Sequence, residues 1–457
     1  MDFSLTDDAG GAVPLVAMTK DELAGWRERA PARERDWVAA IGFAAEPGKF
    51  ALVPGKDGNL ARVLVGCGGN EAAMWALAGL SDALPEGNYR LDAVPPGGDA
   101  SRLALGWALG TYAFTRYHDK KPGAARLVWP EGADRGYVGR LAGAIFLARD
   151  LITTPASDLG PEDLAEAAAR VAETAGAHCR VIAGDALLRE NFPTIHAVGR
   201  ASTRAPRLVD ITWGDAAAPK VTLVGKGVCF DSGGLDLKPA SGMLNMKKDM
   251  AGAAIVLALG QAIMMAGLKV RLRVLMPCVE NSVAGNAMRP RDVIRTRKGL
   301  TVEIGNTDAE GRLILCDGLA EAASESPAMI VDIATLTGAA RVALGPELPA
   351  LFCNDDALAA GLIEAGAAED DPLWRMPLWH PYRRNLDSKV ADLNNVSDGP
   401  HGGAITAALF LEEFVAGVPW AHLDVMAWNG RSKPGRPEGA EAQTLRALYA
   451  YVAGRFG

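Results

Sequence analysis

Short apolar runs that alternate with helical patterns are the feature that most constrains the fold of this chain. Val221–Val224 is a β-branched run, a helical segment spans about 250–266, and Val270–Leu275 follows as a second apolar run. Leu313–Ala323 has helical periodicity, and Met329–Ala334 is a further buried run. Apolar strands that alternate with helices indicate βαβ units. They predict an α/β fold with a mostly parallel central sheet flanked by helices.

Polar, glycine-containing segments follow two of these predicted strands. Lys226–Gly234 comes after the first strand, and Thr335–Gly338 comes after the last. In α/β sheets, ligands bind beyond the carboxyl ends of the strands. The sequence therefore predicts a functional site at that edge of the sheet.

The length of the chain predicts two domains. At 457 residues it exceeds the roughly 250–300 residues at which single cores stop growing. Ile152–Pro161 carries two prolines, a glycine and small polar residues. We place the boundary there, with a smaller N-terminal α/β domain at 1–151 and a larger catalytic domain at 152–457. A helix is predicted to follow the boundary, over Pro161–Ala175.

The N-terminal part has its own short elements and no recognisable chemistry. Ala51–Val53 and Ala61–Val65 are apolar runs, and the segment around Leu103–Phe114 has a helical pattern. The glycine-rich sequence GCGGN at 66–70 is typical of a structural turn. We expect an oligomer-related or regulatory role for this domain.

Charge and composition indicate a cytoplasmic globular protein. The net charge of −8 argues against a broad nucleic-acid footprint, which needs a basic face, and the Lys-Lys pair at 120–121 is too short to supply one. The first residues show no secretory signal pattern. The six cysteines lie far apart and predict buried reduced thiols. Ala251–Leu268 is long and apolar enough to imitate a membrane span, but we predict a buried core helix.

The octapeptide Asn306–Leu313 (NTDAEGRL) carries the densest functional chemistry. It places Asp308 and Glu310 two positions apart, with Arg312 two further on. In an extended segment, alternate side chains leave the same face. The three groups would then converge on one point, as a cation site with a neighbouring anion-holding group requires.

A second cluster lies upstream and strengthens the prediction of a metal site. It contains Lys226, Asp231, Ser232, Gly233, Gly234, Lys238 and Asp249. The four carboxylates of the two clusters supply enough oxygen for two divalent cations, a recurring hydrolytic arrangement. The six histidines are scattered, so an imidazole zinc site is not predicted. Oxygen ligands suit Mn²⁺ or Mg²⁺, with Zn²⁺ as a further candidate. Lys226 and Lys238 would ligate or stabilise negative charge.

One rival interpretation rests on a serine nucleophile. Phe230–Gly234 (FDSGG) echoes the nucleophile loop of trypsin-like proteases, and His178 follows a Gly-Ala pair that echoes their histidine motif. Ser232 would then be the nucleophile and His178 the base. The α/β pattern around them opposes this interpretation, because those proteases are all-β.

These residues together resemble the leucine aminopeptidase (cytosol aminopeptidase) family of di-metal exopeptidases. The octapeptide matches the signature of that family, and Val224–Asp249 is similar to its metal-binding loop. Thr335–Gly338, Gly402–Ala408 and Trp420–Asp424 also follow its pattern. The resemblance covers roughly residues 150–457.

The resemblance implies a role for each matching residue. Asp231 and Glu310 would bridge two metal ions. Lys226 and Asp249 would complete the tighter site, and Asp308 the exchangeable one. Lys238 would polarise the scissile carbonyl, and Arg312 would hold a bicarbonate ion that relays the proton from the attacking water. The substrate would be a peptide whose free α-amine binds one metal.

The resemblance also implies a substrate pocket and an assembly. Met246, Thr335 and Gly338 would form the pocket for a leucine-like first side chain. Met426 stands where the family has a small residue and would reshape that pocket, so the leucine preference stays open. A homohexamer in the cytoplasm is implied. The alternative function is a non-catalytic or moonlighting DNA-binding hexamer, because some family members bind DNA.

Overall fold

The computed structural model describes residues 3–67, 70–95, 98–119 and 123–457. Parts of the GCGGN sequence and the Lys-Lys pair at 120–121 lie outside these ranges. The chain forms two compact units. The first comprises Met1–Phe146 and Asn429–Gly439, and the second comprises Leu147–Trp428 and Ala440–Gly457. The predicted domain boundary at 151/152 stays a prediction.

The strands of the described residues are, in chain order, β1 Leu5–Thr6, β2 Val13–Met18, β3 Phe50–Pro54, β4 Leu60–Gly66, β5 Gly87–Leu91, β6 Ala125–Val128, β7 His178–Ala183, β8 Arg207–Trp213, β9 Lys220–Gly225, β10 Gly227–Asp231, β11 Arg271–Asn281, β12 Val293–Arg295, β13 Thr301–Glu303, β14 Met329–Ala334, β15 Ala350–Cys353, β16 Trp374–Arg375, β17 Leu393–Asn394, β18 Trp420–Asp424, β19 Trp428–Asn429 and β20 Gly439–Ala440.

The α-helices of the same ranges are α1 Lys20–Arg29, α2 Ala32–Ala40, α3 Leu80–Ala83, α4 Ala100–Gly110, α5 Arg135–Thr153, α6 Pro161–Thr174, α7 Ala186–Arg189, α8 Pro193–Gly199, α9 Ala240–Met243, α10 Ala251–Ala266, α11 Glu310–Ser324, α12 Gly338–Leu344, α13 Asp356–Ala368, α14 Gly403–Glu412 and α15 Leu445–Phe456. Short 3-10 helices occur at Asn70–Leu77, Met246–Met250 and His380–Leu386.

The first unit contains a six-stranded sheet in the order β1-β6-β5-β2-β4-β3. Only the β3–β4 pair is antiparallel among these described pairings. The apolar runs at 51–53 and 61–65 fall within β3 and β4, as predicted. Helix α4 ends at Gly110 and does not reach Phe114, because the Thr111 hydroxyl donates to the Ala108 carbonyl at 2.8 Å and caps the last turn.

The second unit contains a larger sheet that confirms the predicted architecture. Its strand order is β16-β15-β18-β14-β9-β11-β8-β7, and β10 also pairs with β11. The central strands β18, β14, β9 and β11 run parallel to their neighbours in this series. Antiparallel pairs occur towards the edges. Every residue of β14 is buried, as expected for a parallel strand covered on both faces.

The apolar segment at 251–268 forms the core helix that the sequence predicts. Helix α10 is buried along nearly its whole length and ends at Gly267, which adopts a left-handed conformation with φ 66°. In the described part of the chain, the stretch Met246–Ala266 is long and apolar enough to cross a membrane. The most apolar part of this stretch is 83% buried inside the fold. The burial of this helix within the protein accounts for its composition.

Candidate metal centre

A cavity of about 390 Å³ opens at the carboxyl ends of the central strands of the second unit. Strand β10 ends at Asp231, and strand β14 ends just before Thr335. The predicted site residues that line the cavity are Lys226, Asp231, Lys238, Met246, Asp249, Asp308, Arg312, Thr335 and Gly338. The two polar segments predicted from the sequence therefore meet at one place.

The local conformation of the octapeptide differs from the prediction. Helix α11 begins at Glu310, so Glu310 and Arg312 are not alternate residues of an extended strand. On a helix, residues two positions apart point about 200° away from each other. Asp308 lies in the preceding turn, where its N–H donates to the Asn306 side chain at 2.7 Å. Asp308 and Arg312 nevertheless both line the cavity, because the chain turns at the start of the helix.

The upstream segment also differs from the predicted loop. Gly227–Asp231 forms strand β10, which pairs in parallel with β11. Lys226 thus lies between two strands, and the loop begins only after Asp231. Asp231 is fixed by hydrogen bonds from the Gly233 N–H at 2.8 Å and the Asn281 amide at 2.9 Å.

Three carboxylates are close enough together to share a metal ion. One oxygen each of Asp231, Asp308 and Glu310 lies within 4.8 Å of the other two. Asp231 and Glu310 are buried, and Asp308 is partly buried. Glu310 does not itself line the cavity, but its carboxylate belongs to this group. The cluster is the arrangement that oxygen-preferring divalent cations need.

Lys226 lies in the middle of the buried charges. Its Nζ is 2.7 Å from Asp249 Oδ2 and 2.9 Å from Glu310 Oε1, and it donates to the Thr335 carbonyl at 3.1 Å. Burial opposes its charge, but the surrounding carboxylates, led by Asp249, raise the pKa of Lys226 above its usual range. Gly311 leaves room for this side chain, because a Cβ there would lie 2.6 Å from Lys226 Cε.

Lys238 approaches the cluster from the other side. Its Nζ is 2.8 Å from Asp231 Oδ2 and also forms an ion pair with Asp308. Burial again opposes the charge, and the two carboxylates raise the pKa of Lys238. The two lysines therefore contact all four carboxylates of the predicted site.

The two lysines leave some oxygens of the carboxylate cluster without a well-aligned hydrogen bond. Three buried oxygens, Asp249 Oδ2, Asp308 Oδ1 and Glu310 Oε1, lack a hydrogen bond of favourable geometry although each lies near an ammonium group. Burial and the charge of Asp231 raise the pKa of Glu310 well above its usual range, and they raise that of Asp308 as well. Carboxylates that are held in this way gain from added positive charge, so the residues fit divalent cations.

Arg312 is a buried cation with unused donors. Its Nη1 donates to the Asn395 carbonyl at 2.7 Å, and its buried Nε has no hydrogen-bond partner in the described residues. Burial lowers the pKa of Arg312 to about 10, against the opposing effect of Glu310. The remaining donors are chemically suited to a small planar anion.

The predicted pocket residues divide into two groups. Met246, Thr335 and Gly338 line the cavity, and the Thr335 hydroxyl donates to Asp249 Oδ1 at 2.7 Å. Met426 is not on the cavity wall, and its N–H donates to the Gln443 side chain at 3.0 Å. The neighbouring Val425 N–H donates to the Ala334 carbonyl at 2.9 Å, so Met426 lies near the end of β14 without lining the cavity.

Several residues that the sequence analysis missed belong to this site. Lys248 and Arg341 line the cavity, and burial lowers the pKa of Lys248 to about 8. Asp424 accepts hydrogen bonds from the N–H groups of Leu336 and Thr337 and fixes the loop after β14. Asp424 and Lys248 carried a signal, because they lie in Trp420–Asp424 and Val224–Asp249, two segments that follow the family pattern.

The serine-nucleophile interpretation does not survive the geometry. The Ser232 hydroxyl donates to the Asn281 carbonyl at 2.7 Å. His178 is exposed on β7, and strands β11 and β8 lie between β7 and β10. Three strand spacings put the two strands about 14 Å apart, so His178 cannot serve as the base for Ser232.

Comparisons with known proteins show the family of this chain. Residues 146–449 match the model of the cytosol aminopeptidase family catalytic domain, and residues 13–130 match that of the M17 aminopeptidase N-terminal domain. The probable cytosol aminopeptidase of Caulobacter vibrioides is 36% identical, with 99% of each chain covered. The probable cytosol aminopeptidase of Roseiflexus castenholzii is 42% identical over 76% of this chain and 75% of the relative.

Solved structures show the same architecture. The cytosol aminopeptidase of Coxiella burnetii superposes with a TM-score of 0.95 at 48% identity, over 99% of this chain and all of that one (100%). The bottromycin maturation enzyme BotP, solved in complex with Mn, has a TM-score of 0.88 at 36% identity, over 97% of this chain and 99% of its own. The present chain belongs to the cytosol aminopeptidase family of peptide hydrolases.

Proposed function

We propose that this protein is a metal-dependent aminopeptidase that removes N-terminal amino acids from peptides with the help of two divalent cations. The observation that carries the proposal is the buried carboxylate cluster, in which Asp231, Asp308 and Glu310 bring three oxygens within 4.8 Å of one another. Mn²⁺ and Zn²⁺ are the first candidates, and Mg²⁺ is a third. BotP, a neighbour of similar fold, was solved with Mn.

We assign the cations to five residues: Lys226, Asp231, Asp249, Asp308 and Glu310. The three carboxylate oxygens without a well-aligned hydrogen bond support this assignment. When bound, two cations would lower the pKa of a water molecule and polarise a carbonyl group. Lys226 would ligate as an amine, which requires a proton to leave the ammonium group that forms ion pairs with Asp249 and Glu310.

Lys238 and Arg312 are the proposed catalytic residues. Lys238 lines the cavity as a cation, so it can stabilise negative charge that develops on the oxygen of the scissile carbonyl. Arg312 has unused donors inside the same cavity. It would hold a bicarbonate ion that accepts the proton of the attacking water, so that the general base is a bound anion.

The peptide substrate would enter with its free amino group towards the carboxylate cluster. Met246, Thr335 and Gly338 would surround its first side chain, because they line the same cavity. Met426 is left out of this proposal, because it does not lie on the cavity wall. We further propose that the protein acts in the cytoplasm as a homohexamer and that residues 1–151 serve assembly or regulation. These last points rest on its kinship with the cytosol aminopeptidases.

Hydrolysis of leucine amide tests the proposed function. The protein is treated with a chelator, dialysed, and assayed again with Mn²⁺, Zn²⁺ or Mg²⁺. We expect activity to be lost and then restored, and N-acetylated leucine amide to remain uncleaved. Absence of metal-dependent turnover on leucine amide and on a panel of other aminoacyl amides, including the glutamyl amide, would overturn the proposal. A gel-shift assay at physiological salt then tests the DNA-binding alternative, because non-specific affinity falls steeply with ionic strength.

A further inference from the structure

Lys248 is a buried cation to which the described residues supply no partner. It lies in the 3-10 helix Met246–Met250, next to Asp249, and its side chain lines the cavity while only 2% of the residue is exposed. Within the described ranges, its ammonium group makes no hydrogen bond or ion pair. Lysine is almost never fully buried unless it is paired, because an unpaired charge loses its hydration. The missing partner is therefore expected to come from outside the chain.

The nearest carboxylates are already engaged with other groups. Asp249 contacts the Lys226 ammonium at 2.7 Å and accepts from the Thr335 hydroxyl at 2.7 Å. Asp424 accepts from the N–H and the hydroxyl of Thr337, the latter at 2.6 Å. Both acids influence Lys248 through space, but neither forms an ion pair with it. Divalent cations at the proposed metal site would reduce that influence further.

A second cation faces the same space. Arg341 lies on helix α12, lines the cavity and is half-buried. Its side chain also has no hydrogen bond or ion pair in the part of the chain that the structure describes. A Cβ added to Gly338 would lie 3.6 Å from Arg341 Nη2. Arg341 therefore lies beside Gly338, one of the residues proposed to surround the first side chain of the substrate.

We propose that the cavity selects peptides whose N-terminal residue is glutamate or aspartate, and that Lys248 and Arg341 bind its side-chain carboxylate. This inference rests on the proposed aminopeptidase function. An acidic side chain would supply the partner that both cations lack and would form charge-assisted hydrogen bonds with them. A leucine side chain would leave the Lys248 ammonium buried and unpaired, which is unfavourable.

Comparing glutamyl with glutaminyl substrates tests the effect of the side-chain charge alone. The Mn²⁺-loaded full-length protein is assayed with glutamyl, glutaminyl and leucyl p-nitroanilides, which contain no other carboxylate. Glutamate and glutamine have nearly the same size and shape. We expect kcat/KM to be about tenfold or more higher for glutamyl than for glutaminyl p-nitroanilide, as hydrogen bonds to charged groups predict.

Three lysine or arginine variants locate the source of that preference. Lys248→Met and Arg341→Met should each lower the glutamyl-to-glutaminyl ratio by about tenfold, whereas Lys248→Arg should keep part of it. The matched control is Lys269→Met, an exposed lysine beyond the opposite end of α10. The control should retain the wild-type ratio.

The outcomes separate this inference from the proposed function. If the wild-type protein hydrolyses the leucyl substrate and shows no glutamyl preference, the inference is wrong and the aminopeptidase function stands. If none of the substrates is cleaved with any of the metals, the proposed function itself fails.

Leucyl-leucine and its C-terminal amide provide a further comparison. A preference for the free acid that Lys248→Met removes, without a glutamyl preference, would assign the cations to the other end of the peptide and overturn the inference.

Discussion

At the residue scale, the carboxylate cluster is only partly neutralised by its own lysines. Glu310 is the most buried member, and burial together with Asp231 raises its pKa well above the usual range. Glu310→Gln keeps the shape of the side chain but removes one anionic ligand. We expect bound metal to be lost and kcat/KM to fall by at least about 100-fold, because even changes behind metal ligands cause losses of that size. Metal analysis and activity assays measure both effects.

The same variant should remain folded. Glu364→Gln, an exposed position on α13, is the matched control and should keep its metal and activity. Circular dichroism should give the same spectrum for both variants and the wild type. Full activity of Glu310→Gln would remove Glu310 from the metal site, whereas an unfolded spectrum would show that its role is structural.

Arg312 leads to a different prediction, because this positively charged side chain is not one of the proposed metal ligands. Arg312→Ala should lower kcat by roughly 100-fold, the smaller end of the range for general acid–base groups, while bound metal stays at the wild-type level. Added bicarbonate should raise the activity of the wild type after the buffer is freed of carbonate, and it should not raise that of the variant. Loss of metal from Arg312→Ala would contradict the proton-relay role.

Single residues also show where sequence analysis stops. The acidic residues and lysines of the site could be predicted, because they stand in two dense glycine-flanked clusters. Arg341 could not, because an isolated cation is usually a solvated surface group, and only the fold shows that Arg341 and Lys248, which lies in the Val224–Asp249 segment, face one cavity. Met426 is the opposite case. Its position in a motif suggests a pocket residue, but it does not line the cavity.

At the scale of elements, Gly252 lets the start of α10 approach the sheet closely. A Cβ on Gly252 would lie 2.0 Å from the Ile333 carbonyl and 2.8 Å from the Lys226 N–H nitrogen. Both are backbone atoms at the strand ends that carry the site, Ile333 in β14 and Lys226 between β9 and β10. Gly252→Ala should therefore displace the start of α10 and lower the melting temperature and the activity together. Gly260→Ala on the same helix should have a smaller effect, because its Cβ would meet a valine methyl group at 3.0 Å.

Differential scanning calorimetry and leucine amide hydrolysis compare these two glycine variants. The general preference of helices for alanine favours Gly260→Ala by about 0.5–1 kcal/mol and partly offsets the tighter packing. Equal melting temperatures for the two variants would show that the contact of α10 with the strand ends does not constrain the site.

Most elements of the second unit were predictable, and the exceptions have physical causes. Strand β14 and helix α10 follow from long buried runs. Strand β10 does not follow from its own sequence, because it is short and bounded by a lysine and a glycine pair, and its pairing with β11 depends on residues far along the chain. Periodicity predicts a helix from Leu313, whereas α11 begins at Glu310, where an acidic residue in the first turn is a known helix signal.

At the scale of the whole molecule, the site depends on long-range organisation. Lys226 and Thr335 meet because the parallel strands β9 and β14 present their carboxyl ends at one edge, and Asp308 reaches the same cavity from the turn before α11. The α/β class and the position of the site could be derived from periodicity, since each depends on local patterns. The association of Asn429–Gly439 with the first unit could not, because no local pattern encodes a contact between distant segments.

The proposed metal ligands come from segments that lie far apart in the chain. Metal binding should therefore affect the stability of the second unit. Unfolding separates the segments that carry Asp231, Asp249 and Glu310, so the unfolded chain cannot reproduce the site. A ligand that binds only the native state at 100 times its Kd stabilises that state by about 2.7 kcal/mol. Chelation should therefore lower the melting temperature on the order of 5 °C or more. Glu310→Gln, measured in the same calorimetric series, should show a much smaller shift, and an equal shift in both proteins would mean that the stabilising ion binds elsewhere.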